Sequence, residues 1–170
     1  MNQSVKWLNE LSATDAEAEL LKCCGSTRWA RDMTQARPFA SVEKLCETAD
    51  AVCATLNDED WIEAFHAHPK IGERKAATDQ SRQAQTWSAQ EQSAVAQASS
   101  QTKDSLAKLN QEYEARFGFI FIVCAAGKSS EEILEFLNER LQNDRETELK
   151  IAAEEQRKIT ALRLRKLIKE

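Results

Sequence analysis

Apolar residues recur at three- and four-residue spacing along most of the chain, which predicts a succession of amphipathic α-helices. Gly25 and Pro38 are expected to close the second and third of them. Capping motifs predict where others begin. Three capping boxes and three further N-caps fit the pattern: Thr14 with Glu17, Ser88 with Glu91, Ser129 with Glu132, Ser41, Asn57 with Asp58, and Asp144.

Two neighbouring stretches have less regular patterns. Residues 73–86 are polar and charged without a clear period, so we expect a loop or a frayed helix there. The stretch from Ser88 to about Arg116 is rich in helix formers and contains no Gly or Pro. This composition predicts one long helix that begins at the Ser88 capping box.

The most apolar stretch is FGFIFIVCAA, residues 117–126. Its aromatic and β-branched residues are typical of a buried strand, but no second strand is available to pair with it. We therefore expect a buried extended or irregular connection whose backbone groups find partners elsewhere. Such a segment either lines a ligand site with its amides and carbonyls or fills the core.

Composition supports a helical fold. Only four Gly and two Pro occur in 170 residues, too few for many hairpins. A chain of this length can bury one hydrophobic core, and no internal repeat or domain boundary is visible. The predicted fold is an all-α, single-domain helical bundle over residues 1–170, with one buried extended or irregular segment at about residues 117–126.

Charge and cysteine usage argue against several classes of function. A formal net charge of -5 disfavours a nucleic-acid partner held through its phosphates. Five cysteines, an odd number without a CxxC pair, indicate reduced thiols in a cytoplasmic protein. The two histidines lack metal-ligand spacing, so no metal site is predicted. The longest apolar run is too short to span a bilayer, and no membrane partner is expected.

His68 is the first candidate for chemistry. Trp61, Phe65 and His68 fall on one face of a predicted helix that Pro69 ends, and Gly72 gives backbone freedom just beyond. The imidazole is thus aimed at the interior where regular structure gives way to a loop, a place suited to proton transfer near neutral pH. The alternative is a buried helix-end histidine that bonds a backbone carbonyl.

Two charged residues also occupy unusual positions. Arg163 lies on the apolar stripe of the last helix between Ile159 and Leu167, so it must reach solvent, pair with a buried acid or bind an anionic ligand. Glu91 is either a capping-box partner or a carboxylate presented to a polar ligand. A ligand pocket would require both groups to converge with His68.

The adjacent thiols Cys23 and Cys24 suggest a different class of function, a thiol enzyme. No base is evident near them in the sequence, and free cysteines usually behave as small buried hydrophobic residues. A structural role is therefore the favoured interpretation.

Six segments follow one another along nearly the whole chain: CCGSTRW at 23–29, AHPKIG at 67–72, SAQEQ at 88–92, LNQEYEARFGFIFIVCAAGKS at 109–129, RLQNDRETEL at 140–149 and ITALRLRKL at 159–167. Together and in this order they resemble the OHCU decarboxylase family. Its enzymes act on 2-oxo-4-hydroxy-4-carboxy-5-ureidoimidazoline (OHCU) in the breakdown of urate to allantoin. Ile120 stands where many members of the family have proline.

The resemblance implies an all-α, cofactor-free enzyme of the cytoplasm that forms a homodimer and holds no metal. It assigns the catalytic histidine to His68 and the catalytic glutamate to Glu91. The implied substrate-binding positions are Pro69, Ser88, Gln92, the backbone of Phe121, Ile122 and Val123, and Arg163.

The implied activity is decarboxylation of OHCU to (S)-allantoin and CO2. In this hypothesis His68 is the general acid/base, Glu91 holds the hydroxyl or a ring N–H, and Arg163 pairs with an anionic or carbonyl oxygen. The alternative is a catalytically silent helical module that binds a ureide or a protein partner. His68 together with Glu91 favours the enzyme, because a binding module needs no proton-transfer pair.

Overall fold

The computed structural model of the protein describes residues 3–168. Within these residues the chain forms α-helices and no strand, although one isolated antiparallel bridge joins Pro69 and Ala76. The prediction of an all-α fold is confirmed. The helices are α1 (Gln3–Glu10), α2 (Ala13–Leu21), α3 (Thr27–Gln35), α4 (Val42–Cys53), α5 (Asp58–His66), α6 (Arg82–Glu91), α7 (Ser93–Ala96), α8 (Ser100–Phe117), α9 (Ser130–Arg140) and α10 (Arg145–Leu167).

The helices group into two compact units. The first comprises residues 3–64 and 157–168, and the second comprises residues 65–156. A single domain over residues 1–170 stays a prediction, and residues 1, 2, 169 and 170 lie outside the described part of the chain. None of the helices in residues 3–168 combines the length and apolarity needed to cross a bilayer.

The first unit has a conventional helical core. In it, α2 packs against α3, while α1 and α3 both pack against α4. Their inward faces bury Leu8, Leu20, Trp29, Met33 and Leu45. Burial of such side chains at three- and four-residue spacing is what the sequence pattern predicts for amphipathic helices.

The second unit is built around aromatic side chains. In it, α8 packs against α9. The rings of Phe65, Tyr113, Phe117, Phe119 and Phe121 form a continuous cluster with centroid separations between 4.6 and 6.2 Å. These tilted, edge-on and stacked contacts bury large apolar surfaces and fix the mutual orientation of the side chains.

The predicted buried irregular segment is confirmed. Residues 119–125 have no regular secondary structure, yet each is only 1–7% exposed. Gly118, with φ of +79°, takes the left-handed conformation that ends α8, and Gly127 adopts φ of +76° beyond the segment. The segment is thus bounded by two glycine turns.

Four predicted helix starts are also confirmed. The Asn57 side chain accepts the Asp60 N–H at 2.9 Å, and the Asp144 carboxylate accepts the Thr147 N–H at 2.8 Å. Ser41 caps α4. At α9, both reciprocal bonds of the Ser129–Glu132 capping box form.

Two other predicted capping boxes, at Thr14 and at Ser88, are wrong. The α2 helix is capped by Ser12, and it ends at Leu21, well before Gly25. The α6 helix is capped by Ser81, so Ser88 lies in its last turn and Glu91 at its end. Residues 82–86 of the polar stretch therefore belong to a helix, whose buried face is formed by Ala84, Trp87 and Ser88, whereas residues 73–81 form the expected loop.

The predicted long helix from Ser88 to Arg116 is also wrong, since α7 and a second cap interrupt it. The Ser99 side chain accepts the Thr102 N–H at 3.1 Å and starts α8. Small polar residues in this stretch offer the backbone local alternatives to a continuous helix. The break leaves Gln92 as the C-cap of α6.

The corrected start of α6 can be tested by removing its cap. Ser81→Ala should lower the free energy of unfolding by about 1 kcal/mol, because one N-terminal N–H loses its acceptor. Ser93→Ala is the matched control, since α7 has no side-chain cap. Urea unfolding of both variants would measure the difference, and equal stabilities would contradict the assigned helix start.

Candidate active site

His68 lies two residues beyond the end of α5, in a tight turn. The helix ends at His66, earlier than predicted, and the His68 N–H donates to the Phe65 carbonyl at 3.0 Å. An i to i−3 bond of this kind tightens a last helical turn, and Pro69 biases the residue before it towards extended geometry. His68 is nevertheless 8% exposed, so its predicted burial is confirmed.

The His68 imidazole is held by an amide side chain. Its Nε2 atom donates to Gln156 Oε1 at 2.7 Å, and Gln156 is completely buried on α10. A short hydrogen bond between two buried groups fixes the plane of the ring. The histidine is therefore oriented by a residue 88 positions away in the sequence.

The loop after His68 is tied to two helices through its backbone. The Ile71 carbonyl accepts a hydrogen bond from Asn110 Nδ2 at 3.0 Å, and the Gly72 N–H donates to Gln92 Oε1 at 2.9 Å. Gly72 has φ of +90°, a conformation that only glycine adopts readily. These contacts fix the loop that carries Pro69 against α6 and α8.

The end of α6 brings three predicted site residues together. Ser88 is 4% exposed and lies on the buried face of the helix beside Trp87. Glu91 follows one turn later and is partly buried, and Gln92 caps the helix. Ser88 and Glu91 are neighbours on one helical surface because they are three residues apart.

The buried segment contributes backbone groups. The Ile122 carbonyl accepts a hydrogen bond from Arg140 Nη1 at 2.6 Å, and the Cys124 N–H donates to Glu155 Oε2 at 2.8 Å. Within residues 3–168, the N–H groups of Phe121, Ile122 and Val123 find no protein acceptor. Buried N–H groups normally have a partner, so three consecutive N–H groups without a protein acceptor are unusual.

Electrostatics link Glu91 to the end of this segment. Burial raises the pKa of the Cys124 thiol, and the nearby charges of Lys128, Glu155 and Glu91 also act on it. Glu91 is therefore close enough for its charge to raise the pKa of Cys124.

A cavity of about 770 Å³ lies within the second unit. Pro69, Ser88 and Gln92 line it, so three of the predicted substrate-binding residues share one space. Its lining does not include His68, Glu91 or residues 121–123. The volume is within the range of small-molecule sites.

Arg163 belongs to the first unit and is 3% exposed. Its Nη1 atom donates to the Lys22 carbonyl at 3.2 Å, and its charge acts on the thiols of Cys23 and Cys24. The guanidinium is thus buried as the apolar stripe predicts, beside the CCGS segment.

Sequence reasoning missed Gln156 as a site residue. Its signal was its place on the apolar stripe of the last helix, where a polar residue needs a buried partner. Glu155 was missed for a different reason. Its carboxylate accepts a hydrogen bond from the Cys124 N–H, which lies in a segment without regular secondary structure. The sequence around either residue does not show which group it contacts.

The thiols do not favour a nucleophile. All five cysteines are free. Burial raises the pKa of Cys24 to about 11, although hydrogen bonds with the Ser26 backbone and the Thr160 side chain and the charge of Arg163 oppose it. A thiol with so high a pKa stays protonated near neutral pH and is a poor nucleophile.

The fold defines an all-α protein in which a buried histidine is oriented by a buried amide side chain, and the residue after that histidine, Pro69, lines a cavity. The family model described as OHCU decarboxylase matches residues 9–165, and the chain belongs to the OHCU decarboxylase family.

Similar proteins include the uric acid degradation bifunctional protein TTL of Arabidopsis thaliana. It is 40% identical over 151 residues, which cover 89% of this chain and 47% of that protein. This chain thus spans about half the length of that relative. The 2-oxo-4-hydroxy-4-carboxy-5-ureidoimidazoline decarboxylase of Haloferax volcanii is 28% identical over 164 residues, covering 95% of this chain and 92% of that protein.

A solved structure is similar along nearly its full length. The crystal structure of OHCU decarboxylase in the presence of (S)-allantoin is 37% identical in sequence and matches with a TM-score of 0.77. The match covers 90% of this chain and 99% of that chain.

The buried thiols predict a loss of stability at high pH. The pKa of Cys24 is raised from 9.0 in the reference state to about 11 in the fold. The unfolded chain therefore releases this proton first as pH rises from about 9 to about 11, and stability falls by up to about 1.4 kcal/mol per pH unit. Below this range the thiol is protonated in both states and contributes no pH dependence.

Urea unfolding between about pH 8 and about pH 11 would measure this effect. Cys24→Ser should reduce the fall in unfolding free energy by up to about 1.4 kcal/mol per pH unit. Cys46→Ser should reduce the fall less, because that thiol is less buried. Identical slopes for the wild type and Cys24→Ser would contradict the assigned burial of this thiol.

Proposed function

We propose that the chain catalyses decarboxylation of OHCU to (S)-allantoin and CO2 in the breakdown of urate. The observation that carries the proposal is His68, a buried histidine oriented by Gln156 within a chain of the OHCU decarboxylase family. Its neighbour Pro69 lines a cavity of small-molecule size. A side chain fixed in this way is suited to directed proton transfer.

The chemistry requires bond cleavage, an electron sink and one proton. The bond between the ring carbon and its carboxylate breaks, CO2 leaves, and the electron pair moves into the adjacent ring imine. The imine nitrogen takes up one proton and becomes a ring N–H. The hydroxyl then gives up its proton to become a carbonyl while the ureido-bearing carbon gains one, so the net reaction consumes a single proton. Protonation from one face fixes the (S) configuration, so the protein must hold the ring and aim the proton donor.

In the proposed site, His68 acts as the general acid/base near the hydroxyl and carboxylate of the substrate. Glu91 holds the hydroxyl or a ring N–H. Gln156 keeps the imidazole in a productive orientation, since it is bonded to Nε2 at 2.7 Å.

The remaining residues bind the substrate. Arg163 pairs with an anionic or carbonyl oxygen, and Ser88 and the amides of residues 121–123 contact the polar atoms of the ring and ureido group. Gln92 Oε1 already accepts the Gly72 N–H, so the proposal assigns its amide nitrogen to the substrate. Pro69 forms part of the wall.

The proposed enzyme has three further features. The reaction needs neither metal nor organic cofactor, because the ring of the substrate accepts the electrons. The enzyme is a homodimer, as the family resemblance implies. It works in the cytoplasm, and five free cysteines support a reducing compartment.

The role of His68 can be tested by circular dichroism of freshly generated OHCU. His68→Asn should lower the rate of (S)-allantoin formation at least about 100-fold, the typical contribution of a general acid/base. The matched control is His66→Asn, because His66 is exposed at the end of α5 and should be dispensable.

Full stereospecific activity of His68→Asn would refute the mechanism. If the wild-type protein binds (S)-allantoin but does not accelerate the decay of OHCU, the chain is a ureide-binding module and not an enzyme.

The orienting role of Gln156 gives a separate prediction. Gln156→Leu should lower kcat about tenfold with little change in KM, because a loss of about 1.4 kcal/mol in alignment falls on the proton-transfer step. Steady-state kinetics would measure this split. A rise in KM alone would assign Gln156 to substrate binding instead.

A further inference from the structure

The geometry points to Arg140 as a positioning residue: its guanidinium fixes the peptide unit between Ile122 and Val123 so that the Val123 N–H is presented to the substrate. This inference rests on the proposed function, which assigns the backbone of residues 121–123 to substrate binding. It adds Arg140, to which the family resemblance assigns no role in the site and which does not line the cavity.

Arg140 holds two consecutive residues of the buried segment. The side chain lies at the end of α9 and the residue is 7% exposed. Its Nη1 atom donates to the Ile122 carbonyl at 2.6 Å, and the guanidinium carbon lies 4.6 Å from the centre of the Phe121 ring. One planar cation thus fixes both the backbone and an adjacent side chain.

A fixed carbonyl also fixes the next N–H. The Ile122 carbonyl and the Val123 N–H belong to one planar trans peptide unit, in which the two bonds point in opposite directions. With the oxygen bound to Arg140, the Val123 N–H must point away from the guanidinium. Within residues 3–168 this N–H has no protein acceptor.

The next two peptide units are fixed as well. The Cys124 N–H donates to Glu155 at 2.8 Å, and the Cys124 carbonyl accepts from Lys128 Nζ at 2.7 Å. Val123 therefore lies between two anchored groups, so its N–H cannot easily rotate. Such a donor is preorganised before any ligand arrives.

Arg140 is itself held by a buried network. Glu148 is completely buried and accepts from Arg140 Nε at 3.0 Å and from Nη2 at 2.9 Å. The Tyr113 hydroxyl donates to the same carboxylate, and Asn143 Nδ2 donates to it at 2.9 Å. All three donors converge on one carboxylate, which leaves the guanidinium little freedom.

Stability alone does not account for this network. Buried ion pairs are often no more stabilising than well-packed apolar residues of similar volume, because both charges must be desolvated. An apolar residue at position 140 could fill the space, but it could not bind the Ile122 carbonyl. Control of that peptide unit is therefore the role that the hydrogen bond gives to the guanidinium.

Two variants separate positioning from folding. Arg140→Lys keeps the charge but loses the planar fork that bonds Ile122 and Glu148 together. The triple variant Y113F/R140M/E148L removes the buried ion pair and the tyrosine hydroxyl, and should regain stability lost in Arg140→Lys because no buried charge is left unpaired.

Arg145→Met is the matched control. Arg145 also donates to a backbone carbonyl, that of Phe117 at 3.0 Å, and lies 5.8 Å from the centre of the Phe119 ring. It makes the same kinds of contact near the start of the aromatic stretch, away from the Ile122–Val123 peptide unit.

Arg140→Lys and the triple variant are the two network variants. We expect both to raise KM for OHCU about tenfold with a smaller change in kcat, while Arg145→Met leaves both constants near the wild type. The triple variant should show this effect despite its regained stability. Wild-type kinetics in the triple variant would overturn the inference, and so would an equal rise in KM in Arg145→Met.

The amide resonance of Val123 gives a readout that needs no turnover. In ligand-free protein, a shift of this resonance in the network variants but not in Arg145→Met supports the assignment, and an unshifted resonance in both network variants overturns it. Absence of OHCU turnover by the wild type would instead defeat the proposed function, whatever the Val123 resonance does.

Discussion

The second unit depends on how it satisfies the backbone of a buried segment that has no neighbouring strand. Each buried N–H and C=O that lacks a partner costs free energy, because it gives up its bonds to water. Here charged side chains make the hydrogen bonds that a neighbouring strand would make. Arg140 and Lys128 each donate to a backbone carbonyl, and Glu155 accepts from a backbone N–H. This requirement explains why a completely buried carboxylate, Glu148, occurs in the core of the unit.

The same solution recurs around His68. The loop that follows the histidine has irregular backbone, and amide side chains from α6 and α8 bind its N–H and carbonyl groups. A third amide, from Gln156, binds the imidazole itself. Irregular backbone is useful in a site because its polar groups are not consumed by helical hydrogen bonds. The cost is that many long-range contacts must form together to hold it.

These long-range contacts mark the limit of prediction from the sequence. Periodicity predicted the helical fold, and local chemistry predicted helix starts such as Asn57 and Ser129 correctly. The same capping motif failed at Ser88, because a serine caps only where the helix begins, and tertiary packing moved that beginning to Ser81. Burial of His68 followed from helical spacing, whereas nothing in the sequence around His68 identified its partner 88 residues away.

The distribution of tryptophans gives the molecule a natural optical label. Of the four, Trp87 alone lies between residues 65 and 156, and it is buried directly before Ser88. With the other three indoles replaced by phenylalanine, the emission of the chain would come from the last turns of α6. Changes in the wavelength or intensity of this emission would then report on the environment of the cavity wall in real time, without any attached dye.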